Sequence, residues 1–235
     1  EHLRAADRCL DTACRFRQEG QAMRRTLAKA SLHTALNLAV FALIGTAILA
    51  FTYNQTHERI AQSVEAEKLN LISQIVSQDL YDNDIINDTI KVKPDVLLGN
   101  DDPTTAYRAR LQNKPSVLVL EAVAPDGYSG KIALLVAIKD SGEIAGVRVV
   151  SHKETPGLGD YIDIARSNWI KGFDGTSLAM YTDRDWKVKK DGGQFDYMAG
   201  ATITPRAVVK AVHKVLQYFA LHHDVLFEQQ SKENK

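Results

Sequence analysis

Two short stretches carry residue types and spacings that could do chemistry. The first is Glu154-Thr155-Pro156-Gly157-Leu158-Gly159. Pro156 fixes φ, and Gly157 and Gly159 permit turns with positive φ and a close backbone approach to a flat ligand. The same residues also build an ordinary strand-to-helix turn. The second is Asp196-Tyr197-Met198-Ala199-Gly200-Ala201-Thr202-Ile203-Thr204-Pro205, which enters a long apolar-striped segment. Thr204 is expected as N-cap and Pro205 as the first helical residue, where a missing N–H costs nothing. Free N–H groups and the positive end of a helix dipole stabilise an anion there, and the small Ala199, Gly200 and Ala201 leave room for a phosphate beside Thr202. A simple capped helix explains the pattern as well, and physics alone does not name the anion.

Other chemistries find less support. Both cysteines, Cys9 and Cys14, lie in the first fifteen residues, so thiol catalysis, disulfides and cysteine-ligated metals are closed to the rest of the chain. The pair is C-x4-C with no second pair nearby, a poor metal signature. The seven histidines are scattered, and the adjacent His222 and His223 point to different sides of a helix. Asp126, Ser129 and His152 lack the pattern of a nucleophile elbow. Lys187, Lys189 and Lys190 read as a solvated strand face. Lys+Arg and Asp+Glu both number 29, so the basic excess typical of a nucleic-acid binder is missing and no nucleic-acid partner is expected.

The elements that must position the two stretches lie in residues 54–235. Ser116–Ala124, Lys131–Lys139 and Glu143–His152 are rich in Val, Ile, Leu and Ala and read as an antiparallel meander, with Asp140-Ser141-Gly142 as one hairpin turn. Asp160–Ile170 is expected as a helix. Trp186–Lys190 and Gln194–Met198 are expected as a second hairpin around Asp191-Gly192-Gly193. Pro205–Phe227 is the clearest helix, with Val208, Val212, Val215, Leu216 and Phe219 on one stripe. His57–Leu80 places Ile60, Val64, Ile72, Ile75 and Val76 at helical spacing, and residues 83–103 read as a looser region with breakers. A run of strands with helices at its ends predicts an α+β domain with an antiparallel sheet and flanking helices.

Upstream, Ala30–Thr56 carries no formal charge, and Ala35–Tyr53 is nearly all apolar. At helical rise those nineteen residues cover roughly 29 Å, about a bilayer's hydrocarbon thickness. A mean hydropathy of −0.22 excludes many spans but not one. Arg15, Arg17, Arg24, Arg25 and Lys29 precede the block, whereas only Arg59 and Lys68 follow it closely. The positive-inside bias places the N-terminus in the cytoplasm and the C-terminal body outside, the periplasm in a bacterial inner membrane. The expected organisation is a tail over 1–34, a transmembrane helix over 35–53 and an extracytoplasmic domain over 54–235. Residues 1–22, ahead of Met23-Arg24-Arg25, read as an extension without a role in the chemistry.

The Asp196–Thr202 stretch resembles the flavinylation motif Asp-x-x-(Ser/Thr)-Gly-Ala-Thr of an FMN-binding domain. That domain occurs in the G subunit of the Rnf electron-transport complex and the C subunit of sodium-translocating NADH:quinone reductase. The resemblance covers about residues 23–230 and is greater to the Rnf protein. It implies FMN attached through its phosphate to Thr202, with Asp196 at the acidic position. Ala199 departs from the usual Ser/Thr, which implies slower attachment where that hydroxyl helps the attaching enzyme, and leaves the acceptor intact. It also implies that Glu154, Thr155, Pro156, Gly157, Leu158 and Gly159 lie against the flavin ring, with Trp169, Lys171, Gly200, Ala201 and Thr204 as further contacts. The implied partners are other membrane and redox subunits, a flavin transferase and membrane lipid; the implied role is electron transfer during ferredoxin–NAD+ exchange coupled to ion transport. A membrane-anchored regulator reusing the domain and a free-standing periplasmic reductase are the rival classes.

Overall fold

In the computed structural model the backbone is described for residues 2–228, and the side chains for residues 31–228 apart from 61 and 65. The chain divides into two units, one ending at Ser63 and one starting at Val64. Helix α1 (His2–Ile75) supplies the first unit. Its stretch Ser31–Ile75 contains a window long and apolar enough to cross a membrane, with none of that window buried. Leu36, Phe41, Ile48, Leu49 and Phe51 are all more than half exposed. Apolar surface of that extent marks a membrane or partner contact, and its uninterrupted length fits one membrane-spanning segment. Thr46 and Thr52 donate their hydroxyls to the carbonyls of Ala42 and Ile48 at 2.8 Å, so these polar side chains are satisfied within the helix. Cys9, Cys14 and the basic residues 15–29 lie outside the described side chains.

The second unit is built on a five-stranded sheet in the order β1 (Thr89–Val92), β2 (Thr104–Leu111), β3 (Lys114–Ala124), β4 (Ile132–Lys139) and β5 (Ile144–Ser151). Every neighbouring pair is antiparallel. Period-two alternation sends side chains to both faces, and both are covered. Leu118, Leu120, Leu134, Val136 and Ile138 join one core with helix α2 (Ile203–Phe227). Val117, Val119, Leu135 and Ala137 join another with Leu71, Ile72, Ile75 and Val76. Burial on both faces is why these strands read as continuous apolar runs instead of alternating ones. This is the expected α+β class, with two more strands than the meander anticipated.

Several local expectations need correction. The amphipathic stretch expected over His57–Leu80 ends at Ile75, with extended Ser77 and a 3₁₀ turn Gln78–Leu80 after it. Its apolar set is divided: Ile72, Ile75 and Val76 are buried, whereas Ile60 and Val64 are exposed. Residues 83–103 are not all loop, since β1 lies among them. The expected Asp160–Ile170 helix is replaced by two 3₁₀ turns, Asp160–Ile162 and Asn168–Phe173. Asp163 breaks it: its carboxylate accepts from the Ala165 amide at 2.9 Å, a local bond that competes with helical pairing. The second hairpin reduces to a single bridge between Val188 and Phe195 around a 3₁₀ turn, Lys189–Asp191. There the chain is too tightly folded for paired strands, for a Cβ on Gly193 would sit 2.1 Å from the Lys187 carbonyl oxygen. The three lysines are exposed, but on this turn and not on a strand face. Finally, α2 begins at Ile203 with Thr202 as its N-cap, so Thr204 falls in the first turn and is buried.

Candidate functional site

The Glu154–Gly159 segment leaves β5 and is fixed mainly by its own backbone. The Leu158 and Gly159 amides both donate to the Thr155 carbonyl at 3.1 Å. Gly157 adopts φ +75°, a left-handed geometry that favours glycine, and its amide donates to Asp160 Oδ1 at 2.8 Å. The backbone amide of Glu154 donates to His152 Nδ1 at 3.1 Å. The Glu154 side chain, only 4% exposed, turns inward. Its Oε1 accepts from the Ser129 amide at 3.0 Å and its Oε2 from the Thr204 hydroxyl at 2.5 Å.

The Asp196–Thr202 segment rests on aromatic posts. Trp169 Nε1 donates to the Asp196 carbonyl at 2.8 Å, and the Met198 amide donates to the Tyr161 hydroxyl at 3.3 Å. The two rings meet edge to face, 5.5 Å between centroids, a favoured aromatic geometry. Burial pushes the Tyr161 phenol up to about 12, so it stays protonated across the physiological range. Lys189 pairs with the Asp196 carboxylate at 2.5 Å on the surface. Gly200, at φ +90° with open space where a Cβ would lie, turns the chain into the helix. Thr202 follows, half-buried at the N-cap, and its side chain makes no capping hydrogen bond. The hydroxyl therefore remains free at the positive end of a 25-residue helix.

These segments meet around a cavity of about 200 Å³. Glu154, Thr155, Leu158 and Gly159 form one wall and Gly200, Ala201, Thr202, Ile203 and Thr204 the opposite one. Tyr128 supplies a third side from the β3–β4 connection and is 69% exposed. Pro156 and Gly157 shape the outer turn without lining the cavity. Asp196 and Ala199 are exposed beyond it, Trp169 lies beneath the motif, and Lys171 is exposed on the Asn168–Phe173 turn. Sequence reasoning missed Tyr128 and Ile203; the aromatic between Gly127 and Gly130 was the available signal for the first. Asp126 instead pairs with Lys210 at 2.5 Å, and Ser129 engages Glu154 through its backbone.

The arrangement suits a flat ligand with an anionic end. A volume of about 200 Å³ is below the roughly 300–1,000 Å³ of sites that enclose a drug-sized molecule. A multi-ring group anchored here is therefore only partly covered and keeps an edge toward solvent or a partner. The free hydroxyl and the helix N-terminus provide the anionic end's place, and Leu158, Ile203 and Tyr128 provide apolar surface.

Comparison with known proteins agrees with this geometry. A family described as the FMN-binding domain matches residues 127–217, and one described as the RnfG N-terminal region matches residues 23–75. The G subunit of the ion-translocating oxidoreductase complex of Pseudomonas aeruginosa (strain UCBPP-PA14) is 47% identical over 198 residues, 84% of this chain and 92% of the relative. The corresponding protein of Shewanella loihica is 45% identical over 204 residues, covering 87% and 94%. That of Vibrio cholerae (strain O395) is 45% identical over 194 residues, covering 83% and 92%. The chain belongs to this family of G subunits. Its FMN-binding region opens at Gly127, beside Tyr128, and closes within α2, so it contains every wall of the cavity. The family's N-terminal region ends at Ile75, where α1 stops. It therefore covers both the apolar span and the turns of α1 that pack on the sheet.

Proposed function

We propose that this chain is the membrane-anchored flavoprotein subunit of an Rnf-type complex, with FMN joined through its phosphate to the Thr202 hydroxyl. The observation that carries the reading is the uncapped Thr202 hydroxyl at the edge of the cavity, at the start of α2. Bound FMN supplies one- and two-electron redox chemistry, which the protein's own side chains lack. The chain's part is to hold and orient. The helix N-terminus stabilises the remaining phosphodiester charge by about 0.3–1 kcal/mol. Gly200 keeps the approach to Thr202 open. Leu158 and Gly159 would offer one flat side to the ring, and Tyr128 would cover part of it. Asp196, Trp169 and Tyr161 fix the course of the motif, and Lys171 lies near enough in sequence to Trp169 to serve the exposed edge. A relay of this kind turns over no substrate of its own and passes electrons between neighbouring centres during ferredoxin–NAD+ exchange coupled to ion movement.

Its setting follows from the span. Residues 1–34 lie in the cytoplasm, 35–53 cross the inner membrane, and 54–235 stand in the periplasm, in line with the positive-inside bias. The partners are the other membrane and redox subunits and a flavin transferase that installs the group. A denaturing gel read for flavin fluorescence tests the attachment. The wild-type band is fluorescent and the Thr202→Val band is dark; an equally bright variant band contradicts the assignment. Co-purification with membrane redox subunits tests the complex, and a protein that purifies alone from its native membrane contradicts it.

A further inference from the structure

Glu154 does something its neighbours in the loop do not. It is a buried carboxylate in the cavity wall, and among the described residues it has no ion pair. Its two oxygens reach two different elements: Oε1 takes the Ser129 amide in the β3–β4 connection, and Oε2 takes the Thr204 hydroxyl in the first turn of α2. Its own backbone belongs to the remaining wall, with Thr155, Leu158 and Gly159. The packing around it is tight on both sides. A Cβ on Gly127 would lie 2.9 Å from Oε1, and one on Gly159 would lie 2.7 Å from Oε2. Both donors point at acceptor oxygens, the arrangement that an ionised carboxylate satisfies.

Resting on the flavin reading above, we propose that Glu154 is a positioning residue that ties the three walls of the cavity together and whose unpaired negative charge holds down the reduction potential of the bound flavin. The first part follows from geometry, since removing the carboxylate frees the Tyr128 loop from the helix that carries Thr202. The second follows from Coulomb's law in a poorly screened setting. Reduction of a flavin to its anionic hydroquinone takes up two electrons and one proton, so the ring gains one negative charge, and a fixed negative charge in the wall opposes that gain. Two neutral donors disperse that charge without cancelling it. A purely structural residue would leave the potential where it was once the walls were held.

The test uses the full-length chain produced with its flavin transferase, as wild type, Glu154→Gln, Glu154→Ala and Thr204→Val. Glutamine keeps an acceptor for Ser129 and can donate to Thr204, so it preserves the tie and removes the charge. Thr204→Val keeps the charge and removes one donor. In a potentiometric titration Glu154→Gln raises the midpoint, so that the oxidised-to-reduced ratio at a fixed potential changes at least tenfold, about 30 mV for a two-electron couple. Thr204→Val does not raise it. An unchanged midpoint in Glu154→Gln, or the same rise in both variants, overturns the charge role. Amide hydrogen exchange at Ser129, measured without any need for flavin, is slow in wild type and Glu154→Gln and fast in Glu154→Ala; equal rates in all three overturn the tie. Intact mass separates loss of the flavin from loss of the tie. A wild type without added FMN refutes the attachment reading itself, while the exchange result still decides the tie.

Discussion

Gly159→Ala places one methyl group where the structure has no room for it. Gly159 has φ −90°, which any residue adopts, so the backbone itself raises no objection. The added Cβ would lie 2.7 Å from Glu154 Oε2, 3.0 Å from Glu154 Cβ and 3.0 Å from Thr204 Oγ1. Because Glu154 and Thr204 are buried, neither can swing away without breaking the 2.5 Å bond between them. Overpacking costs about 1–3 kcal/mol, and a hydrogen bond to a charged group contributes about 1.5–3 kcal/mol. We therefore expect a loss of about 2–3 kcal/mol, or about 5–10 °C in Tm for a body of this size. Two other glycines frame the result. Gly157→Ala meets no atom within 4 Å but must hold φ +75°, costing about 1–2 kcal/mol. Gly172→Ala meets no atom within 4 Å and carries no positive φ, so it is expected to be neutral or to stabilise by about 0.4–1 kcal/mol. Thermal unfolding followed by the fluorescence of Trp169 and Trp186 ranks the three. If Gly159→Ala is as stable as Gly172→Ala, the Glu154–Thr204 contact yields to an added methyl group and the reasoning is refuted.

Two further perturbations probe the frame around the site. Arg110 is 6% exposed and donates to Asp88 Oδ2 and to the Phe227 carbonyl, both at 2.9 Å, so it fastens β2 to the end of α2. Arg110→Met leaves both acceptors without that donor and is expected to cost about 2–3 kcal/mol by denaturant unfolding; a loss below about 0.5 kcal/mol contradicts the role. His223 faces carboxylates on both ring nitrogens, Asp224 at Nδ1 and Asp140 at Nε2, each at 2.9 Å. Hydrogen bonding to Asp224, helped by Asp140 and opposed by partial burial, raises its pKa above the ordinary value. A raised folded-state pKa gives stability that is fully present below the unfolded value near 6.5 and lost as pH climbs through the higher folded value. Melting temperatures at about pH 5.5 and 8.5 are therefore expected to differ more in wild type than in His223→Gln, with wild type the more stable at the lower pH; equal pH dependence in the two refutes the contact.

What the sequence disclosed and what it hid have physical causes. Strands β3 to β5 were legible because both faces are buried, which leaves dense apolar runs between recognisable turns. Strand β2 was not, because Arg108 and Arg110 interrupt its pattern. These residues are buried only because Asp88 and the carbonyls at the end of α2 receive them, and such long-range partners have no local signature. Its hairpin turn was equally obscure, since Gln112 and Asn113 both take positive φ without a glycine. At the site, turn chemistry marked Glu154–Gly159 and Gly200–Thr204 as two separate turns, and only the family resemblance set both against one ligand. The capping positions of Thr202 and Thr204 were misplaced, as helix entry was assigned by Pro205 when Gly200 had already turned the chain. Tyr128 escaped because an exposed aromatic in a turn carries no periodicity, and the inward turn of Glu154 depends on a threonine fifty residues away.

The most direct measurement is the mass of the peptide that spans Asp196 to Arg206, taken from the protein isolated from its native membrane. The account predicts a gain of one FMN less one water, localised to Thr202 by fragmentation and missing from Thr202→Val. A peptide of unmodified mass in flavin-replete cells, or the same gain found on Thr204 instead, would contradict it.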